Sequence, residues 1–339
     1  MNGDWLIRGR DGRLGVYHPT EDGVLSRAEH RPGGGWTAPR RVGGEQELRP
    51  GLGVGQGADG YAHLVSWRPA AKGEAVLTHS THYRPDLAAL DWAPVGHPNR
   101  KGPRTSEPAV AVDAQGRAHV FVVNGGQGLS MVAQREKGGW DPWRDLKGSR
   151  VQDGIAALTG ESGLVEVYAA VPGGILHWAQ EKPGEPPVMT EPLEARVRPG
   201  TLSALATSAH STTVFYTDPE GLLCAWRPGS APVALLYAAG PGPVSATRCL
   251  LDGHDCTVLA QRAANGRVVI AAYPTQAESA GAWWAESGPE LPEDARVFLA
   301  GDPHSGRLAA AALSPSTGRL VLTRRKDEPG LALEPWREI

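Results

Sequence analysis

The feature that most constrains this chain is a pair of turn signals that recurs seven times at intervals of 44 to 56 residues. The first signal precedes an apolar run and lies at Gly12, Gly60, Gly116, Gly163, His210, His254 and Gly306. The second is always a glycine, 11 to 13 residues further on, at Gly23, Gly73, Gly128, Gly174, Gly221, Gly266 and Gly318. A period of this size, with short apolar runs between glycine turns, predicts an all-β fold, a seven-bladed β-propeller with four antiparallel strands per blade.

The repeat extends along the whole chain, so we expect a single propeller domain over residues 1–339 rather than two domains. The expected blades span about 1–44, 45–103, 104–149, 150–195, 196–241, 242–292 and 293–339. Blade three shows the pattern best, with an inner strand at 108–113, two further strands at 119–123 and 129–134, and an outer strand at 140–146. Inner strands carry small residues because space narrows toward a propeller axis, and we expect no substantial helix.

Composition excludes several classes of partner. The net charge is −3 and no long Lys/Arg run occurs, so we expect no nucleic-acid partner. No apolar stretch approaches the roughly 20 residues of a membrane helix, and the N-terminus lacks a signal-peptide core, so we expect no membrane partner and a cytoplasmic protein. No cofactor is expected, since Gly55-Gln-Gly57-Ala-Asp-Gly60 matches a dinucleotide fingerprint but precedes a predicted strand instead of a helix.

Three cysteines are too few for a disulfide framework. If Asp252-Gly253 is a two-residue hairpin turn, Cys249 faces Cys256 across the ladder, while Cys224 lies elsewhere. The favoured interpretation is two buried thiols in a reducing compartment.

One motif of blade three points to a known family. It consists of Trp140-Asp-Pro-Trp143-Arg-Asp-Leu146-Lys-Gly148, preceded by Val120-Phe-Val-Val-Asn124 and Gly128-Leu129. This combination resembles the bacterial fucose-binding seven-bladed lectins and their tectonin-like relatives. Partial echoes lie around Trp36, Trp92 and Trp336. The resemblance implies a protein without catalytic activity that binds sugar in clefts between neighbouring blades, against a tryptophan face and polar groups.

Sugar binding needs an aromatic platform with fixed hydrogen-bonding groups beside it. The best set for a glycan or another small polar ligand is Trp140, Trp143 and Arg144 of blade three, with Trp92 of blade two near the same cleft. The alternative is that these tryptophans fill the gap between neighbouring blades as core.

A second candidate site uses charged residues near the starts of the inner strands. They are Asp4, Arg49, Glu107, Asp153, Arg198 and Asp294. In blades two to five the signs run plus, minus, minus, plus, so we expect each carboxylate to have an arginine on one neighbouring blade, which would keep it ionised. Such a central site at Arg49, Glu107, Asp153 and Arg198 could bind a polar ligand or perform acid–base chemistry. The alternative is a solvated ring of ion pairs.

We predict no metal site, because His79, His82 and His97 have no thiolate among them and their one nearby carboxylate, Asp86, follows a proline. Three functions therefore stay open at this point. The favoured one is a lectin-like protein that binds a glycan or small ligand. The others are an enzyme with one polar site at the central channel mouth, and a scaffold that holds a protein partner on one face.

Overall fold

The computed structural model describes residues 5–49, 51–84 and 87–339. Its strands form seven sheets, each built on four antiparallel strands in chain order, so the protein is a seven-bladed β-propeller as predicted. The chain divides into two compact units, residues 1–195 with blades one to four and residues 196–339 with blades five to seven.

The described residues of the first unit form seventeen strands, β1 to β17. Blade one consists of Leu6–Arg8 (β1), Leu14–Pro19 (β2), Val24–Ala28 (β3) and Arg40–Arg41 (β4). Blade two consists of Leu52–Gln56 (β5), Ala62–Pro69 (β6), Ala75–His82 (β7) and Ala93–Gly96 (β8). Blade three consists of Ala109–Val112 (β9), Ala118–Val123 (β10), Leu129–Ala133 (β11) and Arg144–Asp145 (β12). Blade four consists of Ala156–Thr159 (β13), Val165–Val171 (β14), Gly174–Ala179 (β15) and Val188–Met189 (β16), and Leu193–Glu194 (β17) also pairs with β15.

The second unit contains twelve strands, β18 to β29. Blade five consists of Ser203–Ser208 (β18), Ser211–Thr217 (β19), Leu222–Trp226 (β20) and Val233–Tyr237 (β21). Blade six consists of Ser245–Leu251 (β22), His254–Arg262 (β23), Val268–Pro274 (β24) and Ala285–Ser287 (β25). Blade seven consists of Arg296–Gly301 (β26), Leu308–Leu313 (β27), Leu320–Arg324 (β28) and Arg337–Glu338 (β29).

Helical structure in the described ranges is limited to two short 3₁₀ turns, Ala71–Gly73 and Glu278–Ala280. Neither comes near the length and apolarity that a membrane-crossing helix requires.

The outer strand of blade three is shorter than predicted. Regular pairing covers only Arg144–Asp145, and Trp140 forms an isolated bridge with Gln134. Pro142 has no N–H to donate to a ladder, so the pairing breaks between the two tryptophans. Both indoles therefore lie on an extended segment at the rim of the blade.

The core lies between neighbouring blades, and this explains the unbroken apolar runs. Every residue of Ala118–Val123 is buried. Val120 and Val122 pack in one cluster with blade two, while Phe121 and Val123 pack in another with blade four. Because alternate side chains of a strand point to opposite faces, a strand buried on both faces needs apolar residues at every position.

The hairpin that carries two of the cysteines has the predicted register. Asp252 and Gly253 both have positive φ, +51° and +82°, as a type I′ turn requires. Around this turn Leu251 pairs with His254, and Cys249 pairs with Cys256.

Candidate functional site

A tryptophan from the rim of one blade lies on the end of the preceding blade at several blade junctions. In each case the indole N–H donates a hydrogen bond to an oxygen of the preceding blade. The three bonds are Trp92 to Val42 O (2.8 Å), Trp284 to Tyr237 O (2.8 Å) and Trp336 to Ser287 Oγ (2.9 Å). The close approach depends on glycine, because a Cβ at Gly43 would come within 2.5 Å of Trp92 Cδ1, and one at Gly288 within 2.9 Å of Trp336 Cε2. These tryptophans hold adjacent blades together.

Trp143 occupies the same kind of position between blades three and two, with one difference. Its Nε1 is buried and has no hydrogen-bond partner among the described residues. It lies beside Gly96, where an added Cβ would be 3.4 Å from Nε1. Trp143 and Trp140 are both half-buried and pack on the same cluster, which includes Val65 and Trp67. The structure thus brings these two predicted site residues together in the blade two–three cleft.

The other two residues of the predicted sugar site do not join them. Trp92 is 5% exposed and donates to blade one, whereas Val95, three residues later, packs toward blade three. Arg144 is exposed and pairs with Met131, whose side chain packs toward blade four. Because successive side chains point to opposite faces, Arg144 lies on the opposite face of the outer strand from Trp143. The structure therefore does not bring all four side chains into one cleft.

Two buried histidines supply the polar groups of the blade two–three cleft. His63 Nδ1 and His79 Nε2 are 3.0 Å apart, and the Trp140 ring meets the His79 ring edge-on with centroids 5.1 Å apart. Burial lowers the pKa of His63 to about 4, with Asp59 acting in the opposite direction. Burial, and then His63, lowers the pKa of His79 to about 3. Both imidazoles are therefore neutral at pH 7, and His63 Nε2 has no partner among the described residues.

The histidines considered for a metal site are separated. His82 shares a hydrogen bond with the Tyr17 hydroxyl (3.0 Å) and donates from Nε2 to Leu87 O (3.0 Å). His97 donates to Pro103 O at 3.0 Å. Asp86 lies outside the described residues. Within the described ranges no group of three or more His, Cys, Asp or Glu side chains could hold a metal ion.

The charges at the inner-strand starts pair differently from the prediction. Glu107 forms an ion pair with Arg104 of its own segment (3.7 Å), and its backbone N–H donates to Asp153. Partial burial and the charge of Glu107 raise the pKa of Asp153, and Arg104 only partly offsets this. Asp153 therefore has an arginine of the neighbouring blade three in range, but the carboxylate of Glu107 is the stronger influence, so the pKa of Asp153 is raised instead of lowered.

The remaining members of that set have separate roles. Arg49 is exposed, and its backbone N–H donates to Trp67 O at 2.7 Å. Arg198 belongs to the second unit, where its guanidinium donates to Pro219 O at 3.2 Å. Asp294 accepts from Ser314 Oγ at 2.8 Å, and Asp4 lies outside the described residues. Glu107 and Asp153 are thus the pair from the proposed central site for which the structure gives a direct contact.

The structure also reveals a charged site in the blade five–six cleft that the sequence analysis missed. The Glu278 side chain, in the 3₁₀ turn after β24, is 3% exposed. Its carboxylate accepts from Arg227 Nη2 at 3.1 Å and from Thr213 Oγ1 at 3.4 Å. The Arg227 side chain is 35% exposed, so the pair connects the interior of the cleft with its surface.

Tyr273 completes this site. Its ring is buried in the cluster between blades five and six, close to Phe215 and Leu259. The hydroxyl lies beside Thr257 but makes no hydrogen bond of good geometry within the described residues. Burial and the charge of Glu278 raise the pKa of Tyr273, so the hydroxyl stays protonated. Arg227 thus reaches the surface of the cleft, and the Glu278 carboxylate and the Tyr273 hydroxyl are buried behind it beside an aromatic wall.

Two sequence signals could have indicated this site. The connection from Pro274 to Ala285 is long for a blade, and it contains a lone glutamate among small residues. Arg227 directly follows Trp226, in a blade that carries its tryptophan on the third strand instead of the fourth. Neither signal predicts burial, because the wall around Glu278 comes from a different blade.

No family model matches the chain, and no curated protein matches it. Among solved structures, the BP39L lectin from Burkholderia pseudomallei aligns with 100% of this chain and 98% of its own, with a TM-score of 0.73 and 15% identity. A complex of the Aleuria aurantia lectin with Fucalpha1-6GlcNAc aligns over 86% and 97%, with a TM-score of 0.53 and 12% identity. The microbial sialidase Hz136 aligns over 86% and 71%, with a TM-score of 0.55 and 11% identity. The resemblance to lectin propellers is confirmed as a shared fold.

Proposed function

We propose that the protein is a lectin-like, carbohydrate-binding propeller and that a neutral sugar binds in the blade five–six cleft through Arg227, Glu278 and Tyr273. The observation that carries the proposal is the buried Glu278 carboxylate, which is paired with an arginine that reaches the surface and whose charge acts on the buried hydroxyl of Tyr273.

The chemistry of these groups fits a polyol. A buried carboxylate accepts hydrogen bonds from hydroxyl groups, and a guanidinium donates to hydroxyl and ring oxygens. A buried hydroxyl without a partner is costly, and a ligand that bonds to it removes that cost. Glu278 would repel an anionic sugar at the same position, so the site favours a neutral one.

A second sugar position is the blade two–three cleft predicted from the sequence. Its support is the half-buried face of Trp140 and Trp143, together with the unpartnered Trp143 N–H. An indole face packs against the apolar side of a sugar, and its N–H bonds to a hydroxyl. Different substitutions are expected to reduce sugar affinity for each of the two positions.

A glycan array followed by calorimetry with the best-binding sugar tests the proposal. Tyr273→Phe should reduce affinity without lowering stability, because it removes a hydroxyl that has no partner within the described residues. Glu278→Gln should weaken binding about 10- to 100-fold, the effect of losing a charged hydrogen bond. The matched control is Glu286→Gln, an exposed glutamate of the same blade paired with Arg267, which should leave affinity within about twofold.

Other outcomes decide between the two positions or reject both. If Trp140→Ala or Trp143→Ala abolishes binding in a folded protein while Tyr273→Phe and Glu278→Gln do not, the sugar binds between blades two and three. If either tryptophan variant unfolds, that residue is core. Absence of binding to any glycan on the array would show the lectin proposal to be wrong.

A further inference from the structure

We propose that Cys249 and Cys256 form a disulfide across the β22–β23 hairpin when the chain folds under oxidising conditions. This modification site is independent of sugar binding. It depends on the turn, the register and the burial of one hairpin in blade six.

The turn fixes which residues face each other. Asp252 and Gly253 occupy the two positive-φ positions of a two-residue turn, and this turn type matches the twist of the strands that flank it. A slip of one residue would move every side chain of the strand to the other face, so the register is strongly defined. Cys249 and Cys256 are direct partners in it.

The Cα spacing of the pair permits a disulfide, although a strained one. The N–H of Leu250 points out of the hairpin to Ser305 O, at 2.9 Å. Hydrogen-bonded and non-hydrogen-bonded pairs alternate along an antiparallel ladder, so the neighbouring pair Cys249–Cys256 is of the hydrogen-bonded type. Such pairs have Cα atoms about 5.5 Å apart, within the roughly 4.4–6.8 Å that disulfides span. Their Cβ atoms lie toward the upper end of about 4.5–5.5 Å, beyond the roughly 3.5–4.5 Å of a relaxed disulfide, so closing the bond strains the hairpin and makes the bond easier to reduce. Both side chains belong to the cluster shared with Leu299 and Ala310 of blade seven, so they lie on one face.

Burial determines when the bond forms. Cys249 is 0% and Cys256 8% exposed. Burial, and then Cys256, raises the pKa of Cys249 to about 12, so the folded dithiol holds almost no thiolate at pH 7. Thiolate is the species that attacks a disulfide, and the folded dithiol therefore exchanges slowly. A hairpin forms in microseconds, before blades pack on each other, and its thiols are then still accessible.

The reaction is an exchange with a small-molecule disulfide such as oxidised glutathione. One cysteine thiolate attacks a glutathione sulfur, which forms a mixed disulfide and releases one glutathione thiolate. The second cysteine thiolate attacks the protein sulfur of that mixed disulfide, which forms the Cys249–Cys256 bond and releases the other glutathione. Two electrons pass to the oxidant, and the two cysteine protons end on the two glutathione thiols.

Cys224 provides an internal control. It lies in β20 of blade five, and its thiol contacts Leu222 O of its own strand at 3.8 Å. Of the three cysteines in the chain, two are consumed by the bond and one remains.

The test is to denature and reduce the protein, refold it with oxidised and reduced glutathione, unfold it again and alkylate the free thiols. Cleavage after Arg248 and Arg262 releases residues 249–262, which contain both cysteines. We expect this peptide to be about 2 Da lighter than the reduced form, with no alkyl group. Cys224 should be fully alkylated. The folded, reduced protein placed in the same buffer should keep three alkylatable cysteines.

The Cys256→Ala variant is the matched control and should show two alkylated cysteines with no mass loss. Should that variant fail to fold, the wild-type peptide still decides the question. Full alkylation of both cysteines after refolding, or a linkage that includes Cys224, would overturn the proposal. If the folded, reduced protein is oxidised as fast as the refolding chain, the proposed order, in which the bond forms before the blades pack, is wrong.

Discussion

Acidification should destabilise the fold through the buried histidine pair of blade two. His63 and His79 are 4% and 6% exposed, and their pKa values are lowered to about 4 and about 3 from 6.5. Below pH 6.5 the unfolded chain binds protons at both imidazoles, while the folded chain does not until pH 4 or lower. The contribution of the two neutral imidazoles to the free energy of unfolding is therefore fully present above pH 6.5. It is lost as the pH falls from 6.5 toward the folded-state pKa values of about 4 and about 3.

The size of the effect follows from the two shifts. Each pKa unit corresponds to about 1.4 kcal/mol, so between pH 7 and pH 5 each histidine lowers the free energy of unfolding by about 2 kcal/mol. The pair together accounts for about 4 kcal/mol, a large part of the 5–15 kcal/mol that is typical of folded domains.

Urea unfolding at pH 7 and pH 5, followed by tryptophan fluorescence, measures the loss. The variant His63→Gln/His79→Gln retains hydrogen-bonding groups but cannot titrate, so its stability should change little between the two pH values. If the variant loses as much stability as the wild type, the histidine pair is not the cause and the reasoning fails.

Three further predictions concern individual contacts. Trp336→Phe should lower the free energy of unfolding in urea by about 1 kcal/mol more than Trp143→Phe, because, of these two tryptophans, only Trp336 donates its indole N–H to the neighbouring blade. Equal losses would contradict this account. Glu107→Gln should lower the pKa of Asp153 in an NMR titration, since the charge that raises it is removed; an unchanged pKa would show that burial alone is responsible. Gly253→Ala, at a φ of +82°, should cost about 1–2 kcal/mol of stability, and a variant as stable as the wild type would rule out the strained turn.

Several parts of the fold could be predicted from the sequence because they depend on local chemistry. Turn glycines recur at a fixed period, and each turn starts or ends a strand that pairs with its neighbour in the chain. The Asp252-Gly253 turn shows this most clearly, since two residues determined the register of the hairpin and placed Cys249 opposite Cys256. Blade five also forms four strands, although His210 replaces its turn glycine, because the apolar run after it keeps the strand pattern.

The composition of the candidate sites could not be predicted in the same way. Trp92 and Trp143 look equivalent in the sequence, yet the indole N–H of Trp92 has a carbonyl partner and that of Trp143 has none. Arg144 follows Trp143 directly but points to the other face of the strand. Which atoms of the neighbouring blade meet a side chain depends on contacts between residues some fifty positions apart, and the repeat pattern does not encode them.

Sequence by itself determined the seven repeats, the all-β class and the hairpin registers, because turn chemistry and strand periodicity act between residues close in the chain. Only the tertiary structure decided which charges are buried and which are paired. Glu278 is an ordinary glutamate in a long connection until blade five covers it and Arg227 reaches it. Asp153 likewise meets Glu107 more strongly than Arg104 only when the segments that precede two inner strands lie side by side. Burial and pairing are properties of the surroundings of a side chain, and in a propeller those surroundings come from the next blade.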